Sequence, residues 1–458
     1  MEGAPDDEFK SDYAGCAGIP SAQGLDLLTA QISPEVFFDK FVKTRTPVAF
    51  NYVLQDAKCC RESRWSDAYL RDKCSECEVK VERRTGPDDK FGKGNETRMK
   101  FGEFMDTLES GSLYLTTQEL EYDADDRPSL VSAPLTRLSG DYPVPPSLAG
   151  ALVVSNVNMW FGYTRERTTS GLHHDFHDNL YVLLRGEKEV TLYSPSEAHN
   201  LYTVGAIAYI HKNGRINYRD QPTHADGSDL QAETAAAAAA RVKAVAARML
   251  AWQEGQAQGQ EKGQEKGQEK GDEAEDDLEE EMDAALDAVL DAEMDRAGED
   301  SEDSDGEDED SGAGAGVGAG SDSDGDSDGD GDASAPKPRK RKVDQLDTTS
   351  AKPQNFSRVD TALPDEELAD FPKFVAARGR GVKVLLRAGQ MLYIPAGWFH
   401  EVRSKGHTAI STQSPPSETA GVGHLALNYW FHPPDSAHFA HPYTSDFWAK
   451  EFAERQED

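Results

Sequence analysis

Segments with the alternating pattern of β-strands lie on both sides of a long segment that cannot form a packed core. The β-like pattern runs through residues 152–193, stops, and resumes at 382–404 and 424–431. Between them, residues 254–332 carry 32 acidic and four basic side chains, which account for 28 of the 36 net negative charges. Low hydrophobicity and high net charge leave too little apolar surface for folding. We therefore predict one β domain interrupted by a long disordered acidic insertion, most of it within 255–350.

Changes in composition divide the chain further. The mixed helix and strand signals before residue 150 indicate an α/β flank, and alanine propensity predicts a helix at the start of the insertion. The predicted segments are a flexible N-terminus (1–32), the α/β flank (33–150), a β-barrel in two parts (151–230 and 355–435), the alanine-rich helix with the acidic insertion and a basic cluster (231–354), and a C-terminal helix or tail (436–458).

The composition also indicates the compartment. The N-terminal residues MEGAPDDEFK lack the basic and apolar regions of a signal peptide, and no apolar run approaches the roughly 18 residues of a membrane helix. We therefore expect a soluble intracellular protein without a membrane partner. Cys74 and Cys77 form a CxxC with Cys59 and Cys60 upstream, which leaves a zinc site open. With Cys16 they make five cysteines, and reduced thiols are the favoured interpretation.

Two motifs lie in the insertion. Asp324, Asp326, Asp328 and Gly329 begin like a calcium loop, but Ala335 stands where a bidentate glutamate is required, so we reject a calcium site. The basic cluster PKPRKRKV (residues 336–343) is typical of a nuclear import signal, with a solvated run of charges as the alternative. We predict an import receptor as a partner and a nuclear or cytoplasmic location, the nucleus favoured. The acidic run argues against nucleic acid as a partner.

The stretch SGLHHDFHDNLYVLLRGEKEVTLYSP (residues 170–195) concentrates metal-binding side chains. Residues two apart on a strand share a face, so His173 and Asp175 point the same way and His174 points opposite. A His-x-Asp pair supplies two ligands of the 2-His-1-carboxylate triad of non-haem Fe(II) oxygenases. His400 in YIPAGWFHEV is the candidate third ligand, since its parity along the strand matches that of apolar residues.

Lys188 is the second unusual residue. It shares a strand face with Val190 and Leu192, where a cation is unfavourable unless an anion lies beside it. A carboxylate bound beside iron would provide that anion, and the oxygenase cosubstrate 2-oxoglutarate carries one at its far end. The alternative is a lysine whose ammonium reaches solvent at the start of the strand.

Three blocks together resemble the JmjC family of Fe(II)- and 2-oxoglutarate-dependent oxygenases: the 170–195 stretch, LRAGQMLYIPAGWFHEV and LALNYWF. The resemblance is closest to the JmjC-only branch, which contains the asparaginyl hydroxylase factor inhibiting HIF and related lysyl hydroxylases. It covers about residues 35–230 and 355–435. It implies a mainly β fold with flanking helices, whose core is a double-stranded β-helix of the cupin or jelly-roll type.

The resemblance also implies two sets of site residues and the cofactors Fe(II), 2-oxoglutarate and O₂. The iron ligands, which are also the catalytic residues, would be His173, Asp175 and His400. The residues in contact with 2-oxoglutarate or next to it would be Lys188, Ser170, Tyr114, Asn179 and Asn428. Among these, Lys188 would bind the distal carboxylate, with Ser170 and Tyr114 as further contacts.

Some features depart from the family. The connection between His400 and Asn428 is longer than usual, and the tail after Trp430 is short for the helical dimerisation module, so we expect a monomer or a weak dimer. His174 and His177 match no family role. We expect both to face solvent at the rim of the barrel, although His177 could contact the substrate.

The sequence favours an enzyme that hydroxylates a lysine or asparagine side chain of a protein substrate and releases succinate and CO₂. Three alternatives stay open: an N-methyl-lysine demethylase, a tRNA-base hydroxylase, and an inactive cupin that serves as an interaction module through its acidic insertion. The triad and Lys188 argue against an inactive module, and the lack of a basic patch argues against RNA. Function has to be argued from the site, since one fold supports many functions.

Overall fold

The computed structural model describes most of the chain outside the insertion. The described residues are 9–56, 65–84, 95–120, 122, 128–164, 168–219, 221–230, 353–406 and 421–455, with 238, 241–242, 244–253, 278 and 280–289 from the insertion. Contacts divide the chain into one unit of Met1–Glu233 with Ser350–Asp458 and a second unit of Thr234–Thr349. No helix among the described residues is both long and apolar enough to cross a membrane.

Strands dominate the first unit. They are β1 (Lys10–Ser11), β2 (Leu27–Leu28), β3 (Val48–Phe50), β4 (Glu78–Arg83), β5 (Glu96–Lys100), β6 (Leu113–Leu115), β7 (Val154–Gly162), β8 (Thr168–Thr169), β9 (His173–His174), β10 (Asp178–Arg185), β11 (Glu187–Tyr193), β12 (Ile207–Ile210), β13 (Ile216–Tyr218), β14 (Val382–Arg387), β15 (Gln390–Ile394), β16 (Phe399–Lys405) and β17 (His424–Phe431). The α-helices are α1 (Pro34–Phe37), which continues as a π-helix through Phe38–Val42, α2 (Asp67–Cys74), α3 (Phe101–Thr107), α4 (Pro372–Ala377) and α5 (Phe447–Glu454).

Two sheets face each other across the barrel. The large sheet has the order β2-β3-β15-β10-β17-β7-β6-β4-β5, and the small sheet has the order β14-β11-β16-β8, with β9 also paired to β16. Strands β10 and β11 lie in different sheets, and β14 to β17 alternate between the two sheets, which makes a double-stranded β-helix and confirms the predicted mainly β, cupin-like fold. The corner between β10 and β11 is Gly186, at φ 82°, where a Cβ would lie 2.8 Å from the Lys405 carbonyl oxygen. Only glycine fits this corner without strain.

The alternation of side chains along each strand separates two cores. In β17, Leu425, Leu427 and Tyr429 pack with the helical flank on the outer face of the large sheet, while Ala426 packs inside the barrel. Residues two apart share a face, so His424, Asn428 and Trp430 belong with Ala426 on the inner side. The even-numbered side chains of β17 therefore face the interior of the barrel, whether they are polar or apolar.

A third sheet, β1-β12-β13, contributes to a separate hydrophobic cluster. This cluster contains Tyr218 of β13, Phe374 of α4, and Tyr193 and Phe399 from the small sheet. It therefore covers side chains on the outer face of the small sheet. Residues 9–32, predicted as a flexible N-terminus, instead supply β1 and β2, which pair with β12 and β3.

The described residues of the second unit are helical. The alanine-rich segment is helical at residues 244–253, and a second helical stretch occupies 280–289. Arg248 and Glu281 form an ion pair of 2.7 Å between them. The candidate calcium loop, the basic cluster 336–343 and most of the acidic insertion lie outside the described residues.

Candidate metal centre

His173, Asp175 and His400 come together inside the mouth of the barrel. His173 of β9 and His400 of β16 are directly opposite each other in the ladder, with ring centroids 4.4 Å apart. Asp175 follows β9, and its Oδ2 lies 3.7 Å from His400 Nε2. One ligand atom from each of the three lies within 4.8 Å of the others, the one such group of three or more among the described residues. The set matches the 2-His-1-carboxylate arrangement that suits non-haem Fe(II).

Hydrogen bonds orient both rings for metal binding. The Nδ1 of His173 lies 3.0 Å from the Gly171 carbonyl oxygen, and the Nδ1 of His400 lies 3.0 Å from that of Trp398. A carbonyl oxygen only accepts, so each Nδ1 carries the hydrogen and donates it. Each Nε2 therefore keeps a lone pair for a metal ion, and the backbone contact fixes the orientation of the ring.

The protonation states also suit a metal. Burial, reinforced by nearby His400, lowers the pKa of His173 to about 4, which keeps that ring neutral at pH 7. Burial acts to raise the pKa of Asp175, but His400, His173 and two hydrogen bonds outweigh it and leave the pKa below its usual value. Those bonds come from Asn179 Nδ2 (3.1 Å) and Trp430 Nε1 (3.3 Å) to Asp175 Oδ2. A neutral imidazole and an ionised carboxylate are the forms that bind metals.

A buried ion pair holds the backbone around the triad. Asp178 accepts hydrogen bonds from the Arg45 guanidinium, from the Tyr393 hydroxyl (2.6 Å) and from the Ala396 amide (2.9 Å). The next amide, of Gly397, donates to the Asp175 carbonyl oxygen over 3.0 Å. The turn that leads into β16 and His400 is thus bonded to the segment that carries Asp175. This network fixes the position of Asp175 relative to His400.

Lys188 lies inside the barrel, as its strand parity predicted. Its side chain is 1 % exposed, and its Nζ donates to Ser404 Oγ over 2.6 Å. No carboxylate of the described residues pairs with it, and burial lowers its pKa to about 7. Nζ also lies 5.7 Å from the centroid of the Tyr114 ring. A buried amine with a single neutral partner is the environment in which an anionic ligand would be stabilised most, so the pocket fits the distal carboxylate of 2-oxoglutarate.

The other predicted cosubstrate residues are placed in different ways. Asn179 bonds Asp175, and Asn428 Oδ1 accepts from Trp160 Nε1 over 2.8 Å, while Asn428 Nδ2 is buried without a hydrogen-bond partner in the described structure. Ser170 is engaged with the backbone: its hydroxyl donates to Gly171 and accepts from the Val402 amide. The hydroxyl that contacts Lys188 is Ser404 instead. The contacts of these residues with 2-oxoglutarate stay predictions.

The expectation that His174 faces solvent is wrong. His174 is fully buried, and its Nε2 lies 2.7 Å from the Tyr218 hydroxyl. The parity that separates it from His173 was correct, but the outer face of the small sheet is covered by the β12–β13 cluster, where burial lowers its pKa to about 3. His177 is half-buried, and its ring stacks on Trp430 at 5.8 Å.

The described cysteines, Cys16, Cys74 and Cys77, form no disulfide. Cys74 is buried, its Sγ lies 3.8 Å from the Pro134 carbonyl oxygen, and burial together with Cys77 raises its pKa to about 12. Neither Cys74 nor Cys77 belongs to a metal-binding group of the described residues. Cys59 and Cys60 lie outside them.

Three residues of the site were missed by the sequence reasoning: Ser404, Trp430 and His424. Ser404 shares strand parity with His400, and His424 and Trp430 share it with Asn428. The same period-two rule that selected the triad could have identified all three.

Comparisons with known proteins agree with this geometry. The sequence matches the cupin-like domain family over residues 34–437. It is 33 % identical to JmjC domain-containing protein 4 of Schizosaccharomyces pombe over 450 residues, 93 % of this chain and 87 % of that protein. It is 24 % identical to JmjC domain-containing protein E of Dictyostelium discoideum over 223 residues, 43 % of this chain and 62 % of that protein. The chain belongs to the cupin-like JmjC-domain family, whose members are typically Fe(II)- and 2-oxoglutarate-dependent oxygenases.

Proposed function

We propose that this protein is an Fe(II)- and 2-oxoglutarate-dependent dioxygenase that hydroxylates a lysine or asparagine side chain of a protein substrate. The observation that carries the proposal is the pairing of two unusual features in one barrel. One is the His173–Asp175–His400 group, and the other is the buried ammonium of Lys188, which has no carboxylate partner in the described structure.

The spacing of these features suits a five-carbon diacid. Lys188 pairs with Ser404, and Leu192 pairs with His400 across the β11–β16 ladder, so four residues separate the two levels. At about 3.3 Å per residue this corresponds to roughly 13 Å along the strand. The side chains of Lys188 and His400 cover part of that length, and 2-oxoglutarate would span the remainder with its keto acid at the metal and its distal carboxylate at Lys188.

When bound, iron and 2-oxoglutarate supply the oxidising chemistry, in which one atom of O₂ enters a substrate C–H bond and the other enters succinate as CO₂ is released. The chain contributes orientation and exclusion of water. The Asp178 network fixes Asp175 and the turn before His400, and the hydrogen bonds from Asn179 and Trp430 hold the Asp175 carboxylate. Apolar side chains such as Leu192 and Trp398 keep the barrel interior dry.

We propose His177 as a substrate contact. Its ring stacks on Trp430, and Trp430 Nε1 donates to Asp175, so His177 is one ring removed from a metal ligand. His177 does not belong to the metal-binding group itself. A residue in this position can contact the substrate near the reacting carbon without changing metal affinity.

The experiment is a product analysis that separates the open alternatives. Wild-type protein and the Asp175→Ala variant are incubated with Fe(II), 2-oxoglutarate and a peptide extract, with exposed His438→Ala as the matched control. We expect peptides that gain one oxygen, with succinate in proportion, from wild-type and His438→Ala alone. Formaldehyde in proportion to succinate would indicate a demethylase instead. No succinate above the Asp175→Ala background would indicate an inactive cupin.

We further propose that the basic cluster 336–343 is bound by an import receptor and directs the protein to the nucleus. The support is the sequence: four consecutive basic residues, 339–342, follow a long acidic run. Replacement of these four by alanine should lower nuclear enrichment and leave 2-oxoglutarate turnover unchanged.

A further inference from the structure

His424 is a buried histidine that the roles assigned so far do not use. It begins β17, is 1 % exposed, and pairs with Gly162 of β7. Both of its ring nitrogens are buried without a hydrogen-bond partner among the described residues. An unsatisfied buried polar group costs about 1–3 kcal/mol, and an apolar residue would fill the same space without that cost. The described residues supply no hydrogen-bond partner for this ring, which leaves it available to a bound ligand.

The surroundings of His424 connect it to Lys188. The ring centroid of His424 lies 5.7 Å from that of Tyr114. Lys188 Nζ also lies 5.7 Å from the Tyr114 centroid. The three side chains come from β17, β6 and β11, and therefore from both sheets. They form one polar group at the end of the barrel away from the metal ligands, since Lys188 is four residues along the ladder from the level of His400.

Two glycines make room for this group. A Cβ on Gly162 would lie 2.4 Å from the Tyr114 ring and 3.3 Å from His424 Cε1. A Cβ on Gly186 would lie 2.6 Å from His424 Cβ. The local backbone is thus built around these two rings.

The state of the ring defines what it can bind. Burial, followed by the charge of Lys188, holds the pKa of His424 well below its usual value, so the ring is neutral. A neutral imidazole offers one N–H donor and one acceptor nitrogen. Beside an ammonium, the ligand that satisfies the donor is an oxygen anion, and a carboxylate has oxygens enough for both groups.

We propose that His424 is a further binding residue for the cosubstrate: its ring N–H donates a hydrogen bond to the carboxylate that Lys188 neutralises. This inference rests on the proposed function and deepens it. Lys188 supplies the charge, and His424 supplies a directed contact from the opposite sheet. Ser170, the donor that the family resemblance implies, has its hydroxyl hydrogen on Gly171, so His424 provides a neutral donor in the same pocket.

The test compares two ligands that differ in one carboxylate. Full-length protein loaded with Zn(II), which is redox-inert, is titrated calorimetrically with 2-oxoglutarate and with 2-oxopentanoate, which lacks the distal carboxylate. His424→Phe keeps a ring and removes the donor, and His424→Gln keeps a donor. We expect His424→Phe to weaken the binding of 2-oxoglutarate about tenfold, the effect of losing one neutral hydrogen bond. His424→Gln should recover most of the lost affinity. Binding of 2-oxopentanoate should change less than twofold in either variant.

Wild-type protein gives a second readout that needs no substitution to fold. With ¹⁵N-labelled histidine, the His424 ring signal, assigned by its loss in His424→Gln, should shift with 2-oxoglutarate and stay unchanged with 2-oxopentanoate. An unchanged ring signal with bound 2-oxoglutarate, or equal losses for both ligands in His424→Phe, would overturn the role of His424 alone. Wild-type protein that binds neither ligand would overturn the proposed function and this inference with it.

Discussion

Replacing Lys188 with methionine should stabilise the ligand-free protein at neutral pH and at the same time remove tight binding of 2-oxoglutarate. The Lys188 ammonium is buried beside the Tyr114 ring, with one hydrogen bond to Ser404 and no carboxylate partner within the described residues. Methionine has a similar length, no charge and a flexible chain that fills irregular space. The substitution therefore removes a buried charge with little change in packing.

The magnitude and sign follow from the pKa of Lys188, which burial lowers from 10.5 to about 7. Between these pH values the unfolded chain keeps a proton on this amine that the folded protein has released. The free energy of unfolding of the wild type therefore rises with pH across that window. This gain in stability is lost again as pH falls toward 7. At 1.36 kcal/mol per pKa unit the full effect is about 5 kcal/mol. Lys188→Met should thus be more stable than wild type at pH 7, and the difference should shrink as pH rises toward 10.

The assay is urea unfolding at pH 7, 8.5 and 10, followed by tryptophan fluorescence, with calorimetric titration of 2-oxoglutarate in parallel. Lys383→Met, an exposed lysine on the neighbouring strand, is the matched control and should show no pH-dependent difference from wild type. In Lys188→Met, loss of a charge-assisted hydrogen bond of about 1.5–3 kcal/mol should weaken the binding of 2-oxoglutarate by roughly 10- to 150-fold. A Lys188→Met variant that is less stable at both pH 7 and pH 10 would refute the reasoning, because the protein itself would then satisfy the ammonium.

Three further predictions concern the triad, the pocket and the insertion. His173→Ala should lose iron and 2-oxoglutarate turnover with a Tm near that of wild type. His174→Ala should instead lose about 3 kcal/mol of stability, because a buried ring bonded to Tyr218 is removed. Equal loss of iron in both variants would contradict the assignment. Tyr114→Phe should raise the 2-oxoglutarate KM less than Lys188→Met does, because a neutral contact is weaker than a charged one; steady-state kinetics test the order. Deletion of residues 254–342 should leave iron binding and turnover intact while nuclear enrichment falls, and a Tm lower by many degrees would show instead that the insertion supports the fold.

The alternation of side chains along strands was enough to predict the central part of the site. It placed His173 and Asp175 on one face of a strand, His400 inside the barrel and Lys188 on an inward face. The structure brings the three ligands together and buries Lys188, although Asp175 lies just after β9 and not on it. Such placement is local, because the direction of a side chain is fixed by its parity once one neighbour is known to be buried. Distance along the chain did not matter, although His400 comes more than 200 residues after Asp175.

Parity could not say what covers the second face of a strand. His174 was expected in solvent because it lies opposite His173, yet the β12–β13 hairpin and β1 pack a separate cluster over that face. This contact joins segments that are distant in sequence. The sequence pattern of each segment does not predict which other segment it packs against. The same limit applies to Ser170, whose hydroxyl is engaged by the backbone of its neighbour and of β16. Hydrogen-bond partners depend on three-dimensional packing, which sequence periodicity does not contain.

β17 shows how one strand can serve stability and binding without conflict. Its odd-numbered residues Leu425, Leu427 and Tyr429 belong to the outer core, where each buried side chain contributes about 1.5–3 kcal/mol. Its even-numbered residues His424 and Asn428 face the barrel interior with polar atoms that lack a hydrogen-bond partner in the described structure. The unsatisfied groups on one face are tolerated because the apolar face anchors the strand. A ligand that satisfies the inner face would therefore add stability to a strand that is already in place, and the proposed cosubstrate pocket is preorganised for it.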